Sequence, residues 1–230
     1  MGLPFLISQM SDSIKKSIKE LNANLPKDVQ LVAVSKTKPI EDITTAYQAG
    51  QRHFGENKIQ ELEVKAPALS NDIVWHFIGH LQSKKAKEVI KYADLIHSVD
   101  SLKLATEINK RSAAIGKIQD ILLQFHIAEE DSKFGFKIID IESIISELQS
   151  LKNIRITGVM GMATFTDDEN QVKIEFNNLK TIFNELKSNS FQKKESFQHI
   201  SMGMTGDYKL AIECGSNMVR IGSLIFGSRN

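Results

Sequence analysis

The stretch VQLVAVSKTKPIEDITTAYQAG, residues 29–50, contains one complete strand-then-helix unit. Its four apolar residues 31–34 predict a short buried strand, and Pro39 ends that strand because proline cannot donate a backbone hydrogen bond. A helix-like segment follows, and Gly50 stands where a helix C-terminal glycine belongs. Lys36 comes where the apolar section stops, so it is either a surface residue at a strand end or an amine directed into a pocket.

The same strand-then-helix unit recurs along the chain. Seven further β-branched or apolar runs alternate with helix-like stretches, at 52–57, 73–80, 94–100, 120–128, 154–163, 196–204 and 218–227. Such alternation predicts a parallel sheet with crossover helices. Eight units in 230 residues favour an α/β fold that is a single (β/α)8 TIM barrel over residues 1–230, with an extra helix at 10–24. A doubly wound open sheet, which usually has fewer strands, is the alternative.

Composition excludes several classes of partner. Lys plus Arg number 29 and Asp plus Glu 28, so the net charge of +1 gives no global attraction to nucleic acid or anionic lipid. Cys214 is the single cysteine, so no intrachain disulfide can form, which is typical of a reducing cytosol. No apolar run approaches the roughly 20 residues that span a bilayer. We therefore expect a cytoplasmic protein without a membrane partner.

The histidines do not predict a metal site. His76 and His80 lie four residues apart on a strand-like run, which places them about 13 Å apart on one side of the strand. That distance is too long for one shared metal ion. The other histidines all lie near strand segments and are interpreted as barrel packing; they are His53, His97, His126 and His199.

The loops after the seventh and eighth strands predict an anion site. In a (β/α)8 barrel the active face is the C-terminal end of the strands, and phosphate binds at these two loops. The segments 201–207 (SMGMTGD) and 220–227 (RIGSLIFG) combine glycine with hydroxyl side chains, and Arg220 adds a fixed cation.

Strand 1 neighbours strand 8 in a closed barrel, so a ligand with an aldehyde at one end and a phosphate at the other would bridge Lys36 and these loops. Pyridoxal 5'-phosphate has that shape, and a partly desolvated lysine can form a Schiff base with it. A barrel that binds a plain sugar phosphate is the alternative.

Several long motifs carry a family resemblance. They are VAVSKTKP, FGENKIQE, WHFIGHLQSKKAK, HSVDS, GVMGMATFTDD and SMGMTGDYKLAIECGSNMVRIGSLIFG. Together they resemble the pyridoxal phosphate homeostasis proteins, which are similar to the barrel domain of bacterial alanine racemase. The resemblance covers residues 10–227. It implies a fold-type III pyridoxal phosphate barrel with a role in vitamin B6 homeostasis.

The resemblance also implies roles for particular residues. Lys36 would be the Schiff-base lysine, and Asn57 would line the pocket near the ring. Ser201 and Gly222–Ser223 would hold the phosphate, and Arg220 would face the pyridine nitrogen. Thr205 and Ser223 stand where many family members have Ser and Thr, and both changes keep a hydroxyl group.

Holding the cofactor is distinguished from catalysis by two features. Racemisation needs a base on each face of the substrate, and in the racemase, the resemblance says, the opposing tyrosine comes from a second domain. The sequence ends at Asn230, three residues past the last barrel motif, so we expect no such domain. Arg220 can only donate, so the pyridine nitrogen stays unprotonated and the ring is a weaker electron sink.

We therefore predict a non-catalytic pyridoxal phosphate binding protein that buffers or carries the cofactor. It is expected to be a monomer, with apo pyridoxal phosphate enzymes as candidate recipients of the cofactor. A slow amino acid racemase or lyase is the alternative. Lys38 and Lys133 are candidates for secondary cofactor amines.

Overall fold

Eight parallel strands close into one barrel in the computed structural model, which describes residues 3–130 and 134–227. The strands pair in chain order, and the last pairs with the first. They are β1 (Gln30–Val34), β2 (His53–Glu56), β3 (Val74–Phe77), β4 (Leu95–Val99), β5 (Gln119–Gln124), β6 (Ile154–Met160), β7 (His199–Met204) and β8 (Met218–Ile221). All eight predicted strands are confirmed, and the closed barrel replaces the open-sheet alternative.

Helices connect the strands on the outside of the barrel. They are α1 (Leu3–Asn24), α2 (Ile40–Gln48), α3 (Ile59–Lys65), α4 (Ala86–Val89), α5 (Leu102–Ala114), α6 (Ile138–Ser150), α7 (Glu169–Asn189), α8 (Tyr208–Glu213) and α9 (Ser223–Phe226), with 3-10 turns at Ala66–Ala68 and Ser83–Lys85. The predicted N-terminal helix is confirmed, and it begins earlier than residue 10. Gly50 and Gly116 follow α2 and α5 with φ of +102° and +66°, the left-handed conformation that a helix-terminating glycine adopts without strain.

The strand register decides which side chains enter the barrel. Side chains alternate between the two faces of a strand, and residues paired across neighbouring strands share a face. Val32, Leu122 and Met218 belong to a small apolar cluster inside the barrel. Arg220 pairs with Val32, so its side chain also points inward. Side chains on the opposite, outward face of the strands, such as that of Phe54, pack against the helices in the larger core.

No helix within residues 3–130 and 134–227 is both long enough and apolar enough to cross a membrane.

Candidate functional site

Lys36 lies in a tight turn immediately after β1. We call residues 35–38 the lysine turn. The amide of Lys38 donates to the Ser35 carbonyl at 3.0 Å, which closes the turn, and the Lys36 side chain is half-buried. Among the described residues Thr37 is the one non-glycine residue with positive φ, +66°. A β-branched residue in the left-handed region is strained, so the surrounding structure must hold this turn in place.

A buried group of charges holds the lysine turn. The Lys65 ammonium, from the last residue of α3, donates to the Ser35 carbonyl at 2.9 Å, to Glu56 Oε1 at 2.8 Å and to Glu61 Oε2 at 2.7 Å. Ser35 Oγ donates to Glu56 Oε1 at 2.6 Å, and the Thr37 amide donates to Glu61 Oε2 at 2.6 Å. The turn is therefore fixed through two of its backbone groups and one side chain.

The two carboxylates of this group experience opposite net effects. Glu56 is fully buried, and burial raises its pKa although Lys65 and Ser35 hydrogen-bond to it. Burial also acts to raise the pKa of Glu61, but hydrogen bonds from Lys65 and from the Thr37 amide outweigh it, and the pKa is lowered. Glu61 therefore stays ionised, and its carboxylate accepts the hydrogen bond from the Thr37 amide.

Thr37→Gly tests the strain in the lysine turn. Glycine adopts positive φ without the clash of a Cβ atom, so we expect the free energy of unfolding to rise by up to about 1 kcal/mol. Chemical denaturation of both proteins measures the change. A clear loss of stability would show that the threonine side chain contributes more than its backbone conformation costs.

The glycine loop after β8 packs directly on the end of β1. A Cβ atom placed on Gly222 would lie 3.1 Å from the Val34 carbonyl oxygen and 3.3 Å from the Val34 Cβ. The Gly222 amide donates to Thr205 Oγ1 at 3.4 Å, which joins the loop after β8 to the loop after β7. Lys38 Nζ donates to the Phe226 carbonyl at 2.7 Å. The predicted amine and the predicted anion loops, with Ser223 next in the chain, therefore lie at one end of the barrel.

Arg220 is a buried cation held by neutral groups. The residue is 4% exposed, Nη1 donates to Ser201 Oγ at 2.6 Å, and Nη2 donates to the Gly161 carbonyl at 3.1 Å. Burial lowers its pKa to about 10, with the charge of Asp207 acting in the opposite direction. The guanidinium is thus still charged at neutral pH, and its two hydrogen-bond acceptors, Ser201 and the Gly161 carbonyl, are both neutral.

Asn57 supplies a buried acceptor near the end of β2. Its Oδ1 is buried and, within residues 3–130 and 134–227, has no hydrogen-bond partner. Gly79 fixes the backbone there, because a Cβ on Gly79 would lie 2.1 Å from the Asn57 carbonyl oxygen. A buried polar atom without a partner is costly unless a ligand or water satisfies it, so Asn57 fits a ligand-binding role.

Three histidines form a hydrogen-bonded chain that the sequence interpretation missed. His53 Nδ1 lies 2.9 Å from His76 Nε2, His76 Nδ1 lies 2.8 Å from His97 Nε2, and His97 Nδ1 lies 3.0 Å from Ser201 Oγ. Ser201 in turn accepts from Arg220. The sequence predicts barrel packing for His53 and His97 and no shared metal ion for His76 and His80, and neither interpretation includes this chain. The signal was an inward-facing histidine on each of three successive strands, which only the register reveals.

The remaining predicted positions have simpler surroundings. The Lys38 amine is bound to a backbone carbonyl, and Lys133 lies outside the described residues. His80 pairs with Asp100 at 3.4 Å and stacks on Phe134. Among the residues that the structure describes, no three His, Cys, Asp or Glu side chains are grouped as metal ligands would be.

The family described as "Alanine racemase, N-terminal domain" matches residues 10–230, so the barrel belongs to the alanine racemase class. The barrel superposes on an alanine racemase of Clostridium difficile 630 with a TM-score of 0.77 at 18% identity, covering 95% of this chain and 57% of that one. At that identity the likeness establishes the fold.

Closer relatives define the group within this class. A "Pyridoxal phosphate homeostasis protein" of Synechocystis sp. is 39% identical over 212 residues, covering 91% of this chain and 96% of that one. A protein of the same name from Pasteurella multocida is 37% identical over 228 residues, with 97% and 96% coverage. PipY of Synechococcus elongatus PCC7942, solved with PLP bound, has a TM-score of 0.85 at 34% identity, with 93% and 100% coverage. The chain belongs to the pyridoxal phosphate homeostasis protein family.

Proposed function

We propose that this protein binds pyridoxal 5'-phosphate at the C-terminal end of its barrel and buffers or delivers the cofactor without turning over an amino acid. The observation that carries the proposal is the packing of Gly222 on Val34, because it brings the anion loops against the strand that ends in the lysine turn. The names of the relatives and the PLP-bound structure of PipY support the same ligand.

The residues present fit this cofactor. Lys36 would form the Schiff base, and the backbone of Gly222 and Ser223 together with Thr205 would receive the phosphate. Asn57 Oδ1 is a buried acceptor in need of a partner, and Arg220 is a fixed donor suited to the pyridine nitrogen. When bound, the cofactor supplies an aldehyde that reacts reversibly with an amine.

Ser201 enters the proposal through Arg220. It was predicted to hold the phosphate, and its hydroxyl contacts the Arg220 guanidinium and His97 in the fully buried interior. We therefore propose that Ser201 supports the cofactor by fixing the group that faces the ring.

Two observations support holding the cofactor over catalysis. The Arg220 guanidinium donates a hydrogen bond to the ring nitrogen but keeps its proton, so the ring stays a weak electron sink. Of the three tyrosines, Tyr47 on α2 is bound to Ser70 and Asp72, and Tyr92 and Tyr208 pack against the outer core. None of them is therefore arranged as a second base inside the barrel.

A turnover assay tests this choice. Purified protein loaded with pyridoxal phosphate and supplied with a panel of L- and D-amino acids is expected to give no more turnover than free cofactor. Robust racemisation or elimination that disappears in Lys36→Ala would establish the slow racemase or lyase alternative. An absence of near-visible absorbance together with tight binding of a plain sugar phosphate would instead establish the non-pyridoxal alternative.

Gly222→Ala tests the proposed phosphate-binding loop after β8. The added methyl group would meet the Val34 carbonyl oxygen at 3.1 Å, so the loop must shift and its amides must leave their positions. We expect the dissociation constant for pyridoxal phosphate to rise roughly tenfold, the loss of about one charge-assisted hydrogen bond. Titration with unphosphorylated pyridoxal is the control. An equal loss of affinity for both compounds would contradict a role of Gly222 in phosphate binding.

A further inference from the structure

A line of hydrogen bonds crosses the barrel interior from its N-terminal end to Arg220. His53 is the first residue of β2 and is half-buried, whereas His76 and His97 are 2% and 0% exposed. His76 pairs with Gly55, two positions beyond His53, and His97 lies two positions beyond Leu95, the partner of His76. Each histidine thus stands one inward-facing position further along than the one before, and the line reaches the arginine through Ser201.

The number of hydrogens on each group decides which atom donates and which accepts along the histidine chain. A guanidinium can only donate, so Ser201 Oγ must accept from Arg220 Nη1. The single hydrogen of the fully buried Ser201 hydroxyl then needs an acceptor. Among the described residues, its other partner is His97 Nδ1.

This first assignment fixes the other histidines. If His97 Nδ1 accepts, the proton of neutral His97 is on Nε2 and donates to His76 Nδ1. The proton of His76 is then on Nε2 and donates to His53 Nδ1. The reverse direction makes His97 donate to Ser201, so the buried hydroxyl hydrogen loses its acceptor, which is costly.

We propose that His53, His76 and His97 are positioning residues for Arg220, acting as a directional chain of neutral histidines that keeps the Ser201 lone pairs turned toward the guanidinium. Through Arg220, the histidine chain would make the binding of the cofactor ring depend on protonation of His53 at the opposite end of the barrel. The part of this inference that concerns the cofactor rests on the proposed function, whereas the direction of the chain does not.

Acid is expected to disturb the chain from its outer end. Protonated His53 carries a hydrogen on Nδ1 and can no longer accept from His76, so the chain must break there or reverse as far as Ser201. Four titratable or charged groups face the histidine chain from the other strands. His199 of β7 lies near His76 and His97, and Arg220 of β8 lies near His97. Asp120 of β5 lies near His199 and pairs with Arg155 of β6. Burial is the main cause that lowers the pKa of all three chain histidines from the usual 6.5, because it disfavours the charged form. The unfavourable approach of a second charge, from a neighbouring histidine or from Arg220 in the case of His97, acts in the same direction. The folded protein thus resists protonation, so its stability falls as the pH drops below about 6.5.

Nitrogen-15 NMR of histidine-labelled protein without cofactor tests the direction of the chain. At neutral pH we expect His53, His76 and His97 all to be neutral with the proton on Nε2. In Ser201→Ala the donor to His97 is gone, and we expect His97 to populate both tautomers while His126, outside the chain, is unchanged. A proton on His97 Nδ1 in the wild-type protein, or a protonated chain histidine at neutral pH, would overturn the proposal.

Two substitutions of His97 test the coupling to the cofactor. Asparagine keeps an acceptor near the position of Nδ1 but loses the link to His76, whereas leucine loses both. We expect His97→Leu to release pyridoxal phosphate about tenfold faster than wild type, the loss of about one hydrogen bond, and His97→Asn to restore slow release. Wild type is expected to release the cofactor faster in acid, and both variants should lose that acceleration. His199→Gln, from the same end of the barrel but outside the chain, should keep that acid response, displaced toward higher pH.

The outcomes separate the two proposals. Equal release rates and equal acid responses in wild type, His97→Leu and His97→Asn would overturn the positioning role. If wild type binds no pyridoxal phosphate but shows the expected tautomers, the proposed function fails and the directional chain stands. If His97→Leu does not fold, the tautomers of wild type and Ser201→Ala still decide the direction.

Discussion

Lys36→Ala is expected to lose covalent attachment of pyridoxal phosphate completely. The reason is that the proposed attachment is a Schiff base to this one amine, held in a turn at the end of β1 that faces the glycine loops. The protein is loaded with cofactor and dialysed, and the retained near-visible absorbance is measured. Wild type should keep the absorbance, and the variant should lose it with the free cofactor.

The matched control is Lys91→Ala, which removes an exposed lysine from the segment after α4. It should retain cofactor as wild type does. Thermal unfolding of both variants shows that they are folded. Retention of the absorbance in folded Lys36→Ala would contradict the assignment of the amine.

Lys65→Ala is expected to cause the largest loss of stability, about 3–5 kcal/mol, because it leaves a buried charge without its partner. Glu56 is fully buried and its carboxylate accepts from Lys65 at 2.8 Å. Without the ammonium, ionised Glu56 is unfavourable, so the penalty should be greatest at high pH and shrink as acid protonates Glu56. Denaturant unfolding at several pH values measures both effects.

The paired variant Lys65→Met with Glu56→Gln distinguishes charge from packing. Replacing both charges removes the unpaired carboxylate, so we expect much of the lost stability to return. Lys58→Ala, at the exposed residue before α3, is the control and should change the free energy of unfolding by less than about 0.5 kcal/mol. A loss below about 1 kcal/mol in Lys65→Ala would show that the pair contributes little to the lysine turn.

The fold could be predicted from the sequence because each strand-then-helix unit carries its own pattern. The strand ends were less predictable. The run 218–227 was interpreted as one strand, but β8 ends at Ile221 and the apolar residues after it form α9. A short apolar run has the same composition in a buried strand and a buried helix, and Gly222 is where the two meet. The run 120–128 likewise extends beyond β5, which ends at Gln124, since Phe125 only bridges to Phe136.

The places of some candidate site residues in the fold could be predicted, whereas their roles remain predictions. Lys36, Arg220 and Gly222 are placed by their positions at strand ends, which the alternation of elements already gives. Lys65 was not predicted, because a lysine in a short helix usually faces solvent and its burial depends on Glu56 and the Ser35 carbonyl meeting it. The histidine chain was missed because it depends on register between strands rather than on spacing within one.

The most direct test of the central claim is to map where pyridoxal phosphate is attached. Borohydride reduction of the loaded protein, followed by proteolysis and mass spectrometry, should place one reduced phosphopyridoxyl group on the peptide that contains Lys36. The same treatment of Lys36→Ala should give no adduct at that peptide. An adduct on another lysine, or none on the wild-type protein, would contradict the account.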